Sequence, residues 1–185
     1  MVKGRVKCID NKTNKILFEK DNIITNNGKK YVMSKLLGKD FEENGEVYEL
    51  TKWSLGGTDN SLTQAESGLQ ITKPDYIDLR NIINKSNYSN ETGVAYFDLN
   101  IKNAGDILQE NENYGTITFT LQVNDGGGDG LVWGENNTDS FYVNELGLFL
   151  KATESEDYLL FSRIAIEPIM INNNTKLTLE YKIYI

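Results

Sequence analysis

The sequence contains no histidine, a single cysteine and no long apolar run. Each absence removes a class of function. Without histidine there is no Ser-His-Asp or Cys-His nucleophile system and no imidazole metal ligand. With Cys8 alone there is no intramolecular disulfide, and Cys8 reads as a small buried hydrophobe on an alternating strand. No stretch approaches the ~20 apolar residues that a membrane helix requires. No basic-then-apolar leader opens the chain, so the reading expects no secretory signal and synthesis in the cytoplasm.

Basic charge is scarce as well. Nineteen Lys and Arg stand against 27 Asp and Glu, for a formal net charge of −8. A protein that grips nucleic acid usually carries a basic face. The one basic cluster here, Lys3, Arg5 and Lys7, alternates with Val2, Val6 and Cys8, as the wet face of a strand does. Neither nucleic acid nor an anionic membrane is expected as a partner. The acidity instead favours solubility.

What is present is β-pattern. At 185 residues and 39% hydrophobic, the chain suits one globular domain over 1–185. Val2 to Ile9, turn residues Asp10 to Asn14 and Ile16-Leu17-Phe18 predict a hairpin. Tyr31, Val32, Leu36 and Met33 fall at helical spacing. They predict a short amphipathic helix over about 29–37, capped by Asn26 or Asn27 and stopped by Gly38. Asp40 to Glu46 reads as a loop. Tyr48 to Leu55 alternates as a strand ending at the turn-rich Gly56-Gly57-Thr58-Asp59-Asn60. An irregular excursion, partly strand, is expected over about 68–92. Strands follow over Val94 to Lys102, with Ala95, Phe97, Leu99 and Ile101 on one face, and over Thr116 to Val123. Phe141 to Leu150 and Tyr158 to Ile166 form a predicted hairpin around Thr153 to Asp157.

The last strand alternates most cleanly, with Leu177, Leu179, Tyr181, Ile183 and Ile185 on one face. Left open at a sheet edge, that face would be an aggregation hazard, so it is expected to be paired and buried. Phe149, Phe161 and the helix carrying Leu36 and Leu37 are the expected cover. No tail follows it in this reading. Together the pattern predicts a mostly β protein, an antiparallel β-sandwich with one short α-helix near the N-terminus at an edge or end. No heptads and no internal repeat occur, so no fibrous shaft is encoded.

The motifs that carry chemistry elsewhere are weak here. Asn124, Asp125, Asp129 and Glu135 offer oxygen ligands around a glycine-rich run, but their spacing fits no calcium loop. Gly56-Gly57-Thr58-Asp59 lacks the Lys-Ser/Thr ending of a phosphate loop. The pairs Glu42/Glu43 and Glu154/Glu156 lie in polar stretches where solvated charge is the usual state. Glu145 alone sits in an apolar, aromatic segment. A carboxylate buried there needs backbone hydrogen bonds or a base such as Arg163, and a structural role outweighs a catalytic one. Ten tyrosines and two tryptophans would suit a sugar platform, although their alternating positions are explained by packing. No catalytic, cofactor-binding or metal-ligating residue is therefore assigned.

One order of short motifs stands out. Asn22-Ile-Ile-Thr-Asn-Asn-Gly28 precedes the helix ending Leu37-Gly38. Leu55-Gly-Gly-Thr58 is followed by Ser61-Leu62 and Glu66. Asn144-Glu-Leu-Gly-Leu-Phe149, Leu160-Phe-Ser-Arg163, Glu167-Pro-Ile169 and the terminal strand complete it. The order resembles small structural proteins of tailed bacteriophages and phage-like tail particles of Gram-positive bacteria, including tail-fibre and collar-fibre heads. The resemblance implies a non-enzymatic, homo-oligomeric virion component that binds other virion proteins and is made in the bacterial host's cytoplasm. A tail, baseplate or fibre-attachment position is expected first, a capsid-surface or neck-collar position second. A carbohydrate-binding module that takes a glycan is the alternative of another class.

Overall fold

A computed structural model describes residues 2–58, 78–79, 82–99, 116–124, 130–134 and 139–184. Among these residues, nine strands and one α-helix follow in the order β1 (Lys3–Asp10), β2 (Lys15–Ile24), α1 (Asn26–Leu36), β3 (Phe41–Glu43), β4 (Glu46–Thr58), β5 (Phe97–Asp98), β6 (Thr116–Val123), β7 (Phe141–Ala152), β8 (Tyr158–Ile171) and β9 (Leu177–Tyr184). All strand pairs are antiparallel, in the order β3-β4-β7-β8-β2-β1-β9-β6, with β5 added beside β4.

β2 curls this sheet. Its Lys15–Asn22 stretch pairs with β1, while Ile23 and Ile24 pair with Arg163 and Ser162 of β8. The apolar faces on either side of this crossing meet in one core. Val6, Cys8, Leu179, Tyr181 and Ile183 share it with Trp53, Leu55, Leu146, Leu148 and Phe161. The mostly β, antiparallel architecture with a single short helix is thus as the sequence predicts. On β1 the alternation holds residue by residue: Val6 and Cys8 are buried, and Lys3 and Arg5 are exposed. The opposite face is a charge ladder in which Arg5 meets Asp21 at 3.0 Å and Glu19 at 3.3 Å. Such exposed pairs contribute little stability.

The helix begins earlier than its apolar spacing predicts, and Thr25, not Asn26 or Asn27, caps it. Thr25 Oγ1 accepts from the Gly28 amide at 3.1 Å and donates to the Phe161 carbonyl at 3.0 Å. The Thr25 amide also donates to Phe161 O at 3.0 Å. The cap therefore ties α1 to β8 as well as satisfying a helix end. Gly38 holds the left-handed stop at φ 67° as expected. Thr25→Ala is expected to lower stability by about 1–2 kcal/mol, near the upper end for a lost cap. Thr25→Ser should retain most of it. Equal urea midpoints for the wild type and Thr25→Ala would show that the cap contributes nothing.

Other boundaries also move. Gly56 and Gly57 do not end β4; they continue it opposite Glu145 and Val143 of β7, with a bulge between them. Glycine is needed at 57 because a Cβ there would lie 1.8 Å from the Tyr142 carbonyl oxygen. Asp40 to Glu46 is not a plain loop. Phe41–Glu43 pairs with Glu46–Tyr48 across Asn44 (φ 52°) and Gly45 (φ 82°), the Asn-Gly turn whose left-handed residues match strand twist. Within the excursion, the described residues form a 3-10 turn at Lys85–Asn87, capped by Asn84, with two isolated bridges rather than strands. Ala95, Phe97 and Leu99 are all buried, but among the described residues of 94–102 only Phe97–Asp98 is strand. Ile101 and Ile185 lie outside the described residues.

Candidate functional site

The largest departure from the predicted core is at the end of α1. Tyr31 and Val32 face inward, with Tyr31 edge-on to Phe161 at 6.0 Å and to Phe41 at 6.2 Å. Met33, Leu36 and Leu37 do not face inward. They are 60%, 66% and 68% exposed. Spaced i, i+3 and i+4, they form one apolar face over the helix's last turn. Leu36 and Leu37 therefore do not cover β9 as expected.

Beside that face, where α1 meets β3, lies an open groove of about 800 Å³ lined by Lys30, Met33, Lys39, Phe41, Glu42 and Glu43 among others. Its rim is basic. Residues 22–39 carry Lys29, Lys30, Lys35 and Lys39 and no carboxylate, in a chain whose net charge is −8. Lys35 is held by Glu49 at 2.7 Å and Asp40 at 3.2 Å, and Lys30 reaches Glu43 at 3.5 Å. These exposed pairs add little; the Thr25 cap on β8 and Tyr31 packed on Phe41 and Phe161 support the helix on the sheet. Burial, with the hydrogen bond to Glu49, pushes the Tyr31 phenol up to about 12, so Tyr31 stays neutral as part of that support.

Behind this surface the sheet is locked by buried polar groups. Arg163 of β8 is fully buried and donates from Nη2 to the buried Glu145 carboxylate of β7. This is the pairing the sequence predicts for Glu145. In the main core, Tyr181 receives Asn22 Nδ2 on its phenol and shares a short hydrogen bond with Ser162 Oγ, so β2, β8 and β9 are joined at one point. Burial raises the Tyr181 phenol above its ordinary range, although both hydrogen bonds oppose the rise. The pattern of alternating apolar residues gave no sign of this trio.

The remaining sequence candidates scatter. Glu42 is exposed and Glu43 is paired with Lys30. Glu156 lies on the β7–β8 turn, bound by Tyr158 and by Lys151 at 3.0 Å, which lower its carboxyl. Gly56 and Gly57 are strand. Asn124 is a structural tie: its amide donates to the carbonyls of Asn172 and Thr175 at 2.8 Å and accepts from the Trp133 amide. Asp125, Asp129 and Glu135 lie outside the described residues. Among the described residues no group of three or more Cys, Asp or Glu could hold a metal. Burial pushes the Cys8 thiol up to about 12, which keeps it protonated at neutral pH.

Several of the described aromatic side chains pack against one another. Trp53 and Trp133 are buried, with Phe97 against Trp53 at 4.7 Å and Tyr88 against Trp133 at 6.1 Å. Tyr96 and Tyr158 stack on one another at 3.9 Å over Phe149. Phe149 belongs to a small second cluster with Leu79 and Leu160, so it does not cover β9, whereas Phe161 joins the main core as expected. Compared with protein-family models, with curated proteins and with solved structures, the chain matches none.

Proposed function

We propose that the protein is a structural component of a phage or phage-like particle that acts through protein–protein contacts, at the tail, baseplate or fibre attachment. The order of motifs described above supports the virion setting. The observation that carries the contact role is the exposed Met33, Leu36 and Leu37 face, beside a groove lined by Lys30 and Lys39 and by Asp40, Glu42 and Glu43. Three large apolar side chains on one helical face, more than half exposed, are what a docking surface requires and what a free surface avoids. The mixed charge of the groove favours an occupant that places both acidic and basic groups around apolar residues. That occupant is assigned as a neighbouring virion protein.

The expected result is incorporation of the wild type into purified particles and loss of incorporation in Leu36→Asp/Leu37→Asp. Because both side chains are solvent-facing, the melting temperature of the free double variant should stay near that of the wild type. Incorporation of the double variant at wild-type level would remove the helix end from the interface. Absence of the wild-type protein from particles would remove the virion reading itself.

A further inference from the structure

The two edges of the sheet differ. The β3 edge is three residues long and carries Glu42 and Glu43, a short charged strand of the kind that resists pairing. The β6 edge is eight residues, Thr-Ile-Thr-Phe-Thr-Leu-Gln-Val, with no charge and no proline. Its pairing with β9 runs from Thr116↔Tyr184 to Val123↔Leu177 without a bulge. Over 116–123 there is no charge, proline or bulge to blunt the edge, and among the described residues a covering loop reaches only its far end.

The direction of its free backbone groups follows from one contact. The segment 130–134 crosses the far end of β6: the Leu131 amide donates to Gln122 O at 3.0 Å, and the Asn124 amide donates to Leu131 O at 2.8 Å. Gln122 and Asn124 therefore point away from β9. In an antiparallel ladder both backbone groups of a residue point to one side, and the side alternates. Thr118 and Thr120 consequently direct their N–H and C=O outward, and among the described residues nothing bonds to them. On the solvent face Thr120 is exposed, and on the core face Ile117 is 38% exposed while Phe119, Leu121 and Val123 are buried.

We infer that this edge pairs with the same edge of a second copy of the chain, antiparallel and about a two-fold axis at Phe119. That register places Thr118 opposite the second copy's Thr120 as hydrogen-bonded pairs, four backbone hydrogen bonds in all. It sets Ile117 beside the second copy's Leu121. A register shifted by one residue would put apolar side chains opposite polar ones. The 130–134 segment, already on Gln122, bounds the window at its far end. A second copy is the occupant because the 117–121 window is self-complementary about Phe119, threonine meeting threonine and Ile117 meeting Leu121, and it carries no charge, so two chains of charge −8 meet there with no charge opposed to charge. The two copies then share one continuous sheet. The inference deepens the assembly reading by naming a self-association surface, and it is tested on the free protein.

The mass of the free protein in sedimentation equilibrium should be that of two chains, falling to one on dilution. Thr120→Pro removes an outward N–H at a position where an edge strand tolerates proline, and should give a monomer with an unchanged circular dichroism spectrum. Should that variant fail to fold, Thr120→Lys, which changes only an exposed side chain, serves in its place. In the dimer the Thr118 and Thr120 amides should exchange with solvent at least tenfold more slowly than in the monomer. A wild type that is monomeric at every concentration overturns the inference. So does a dimer that survives both substitutions, or one in which these two amides stay unprotected. A monomer would leave the particle reading standing, and absence from particles would leave the dimer standing.

Discussion

Arg163→Met is expected to destabilise the free protein by roughly 3–5 kcal/mol, because it removes the guanidinium paired with the buried Glu145 carboxylate. Arg163 is fully buried and Glu145 is 3% exposed, on adjacent strands of the sheet. Removing the guanidinium leaves Glu145 charged in a medium that solvates charge poorly, or forces it to take up a proton. Glu145→Leu alone should cost a similar amount, since it takes the Glu145 carboxylate from the fully buried Arg163 guanidinium. The double variant Glu145→Leu/Arg163→Met should recover most of the loss, because a buried pair replaced by apolar groups of similar volume is often neutral. Urea melts of the four proteins close this cycle. If the two single losses simply add in the double variant, the pair is not coupled and the lock between β7 and β8 is not electrostatic. Recovery in the double variant would also place the pair's role in strand register rather than in net stability.

Leu179→Ala is expected to cost about 2–5 kcal/mol, the range for a buried leucine whose cavity only partly collapses. Leu179 is 4% exposed and lies on β9 between Cys8 of β1 and Leu121 of β6, so atoms from both neighbours line the space it leaves. Lys182→Ala, three residues along on the opposite face, should stay within about 0.5 kcal/mol. Lys182 stands directly across from Arg5, a like charge, so its removal loses little attraction. Equal sensitivity at the two positions in denaturant melts would contradict the assignment of one buried and one wet face. The two chevrons should differ as well: a core deletion on a strand whose pairings are this distant in sequence, β1 with β9, reports on late, non-local contacts.

The sequence by itself determined the strand faces and the charge of the surface. Alternation decides which side chains share a face, because the side-chain period of a strand is two wherever it pairs. Val6 and Cys8, Phe119 and Leu121, and Leu177 to Ile183 were all legible for that reason. Glu145 was legible in part: a lone carboxylate in an apolar strand needs backbone hydrogen bonds or a base such as Arg163, and the fold supplied Arg163. The Asn44-Gly45 turn was written in the sequence as well, but the polar residues around it outweighed the signal. Tertiary structure alone decided the rest. Which strands neighbour one another depends on β2 crossing from β1 to β8, a choice that local pattern does not encode. Gly56-Gly57 became strand because β7 approaches too closely for a Cβ, and the helix start moved to Thr25 because β8 supplies carbonyls for its hydroxyl. The helix's apolar spacing named Met33, Leu36 and Leu37 as a face without saying what the face meets. The sheet covers only Gly28, Tyr31 and Val32, and the last turn of α1 runs past it. The same holds for β6: neutrality is a property of its residues, but being an edge is a property of the sheet.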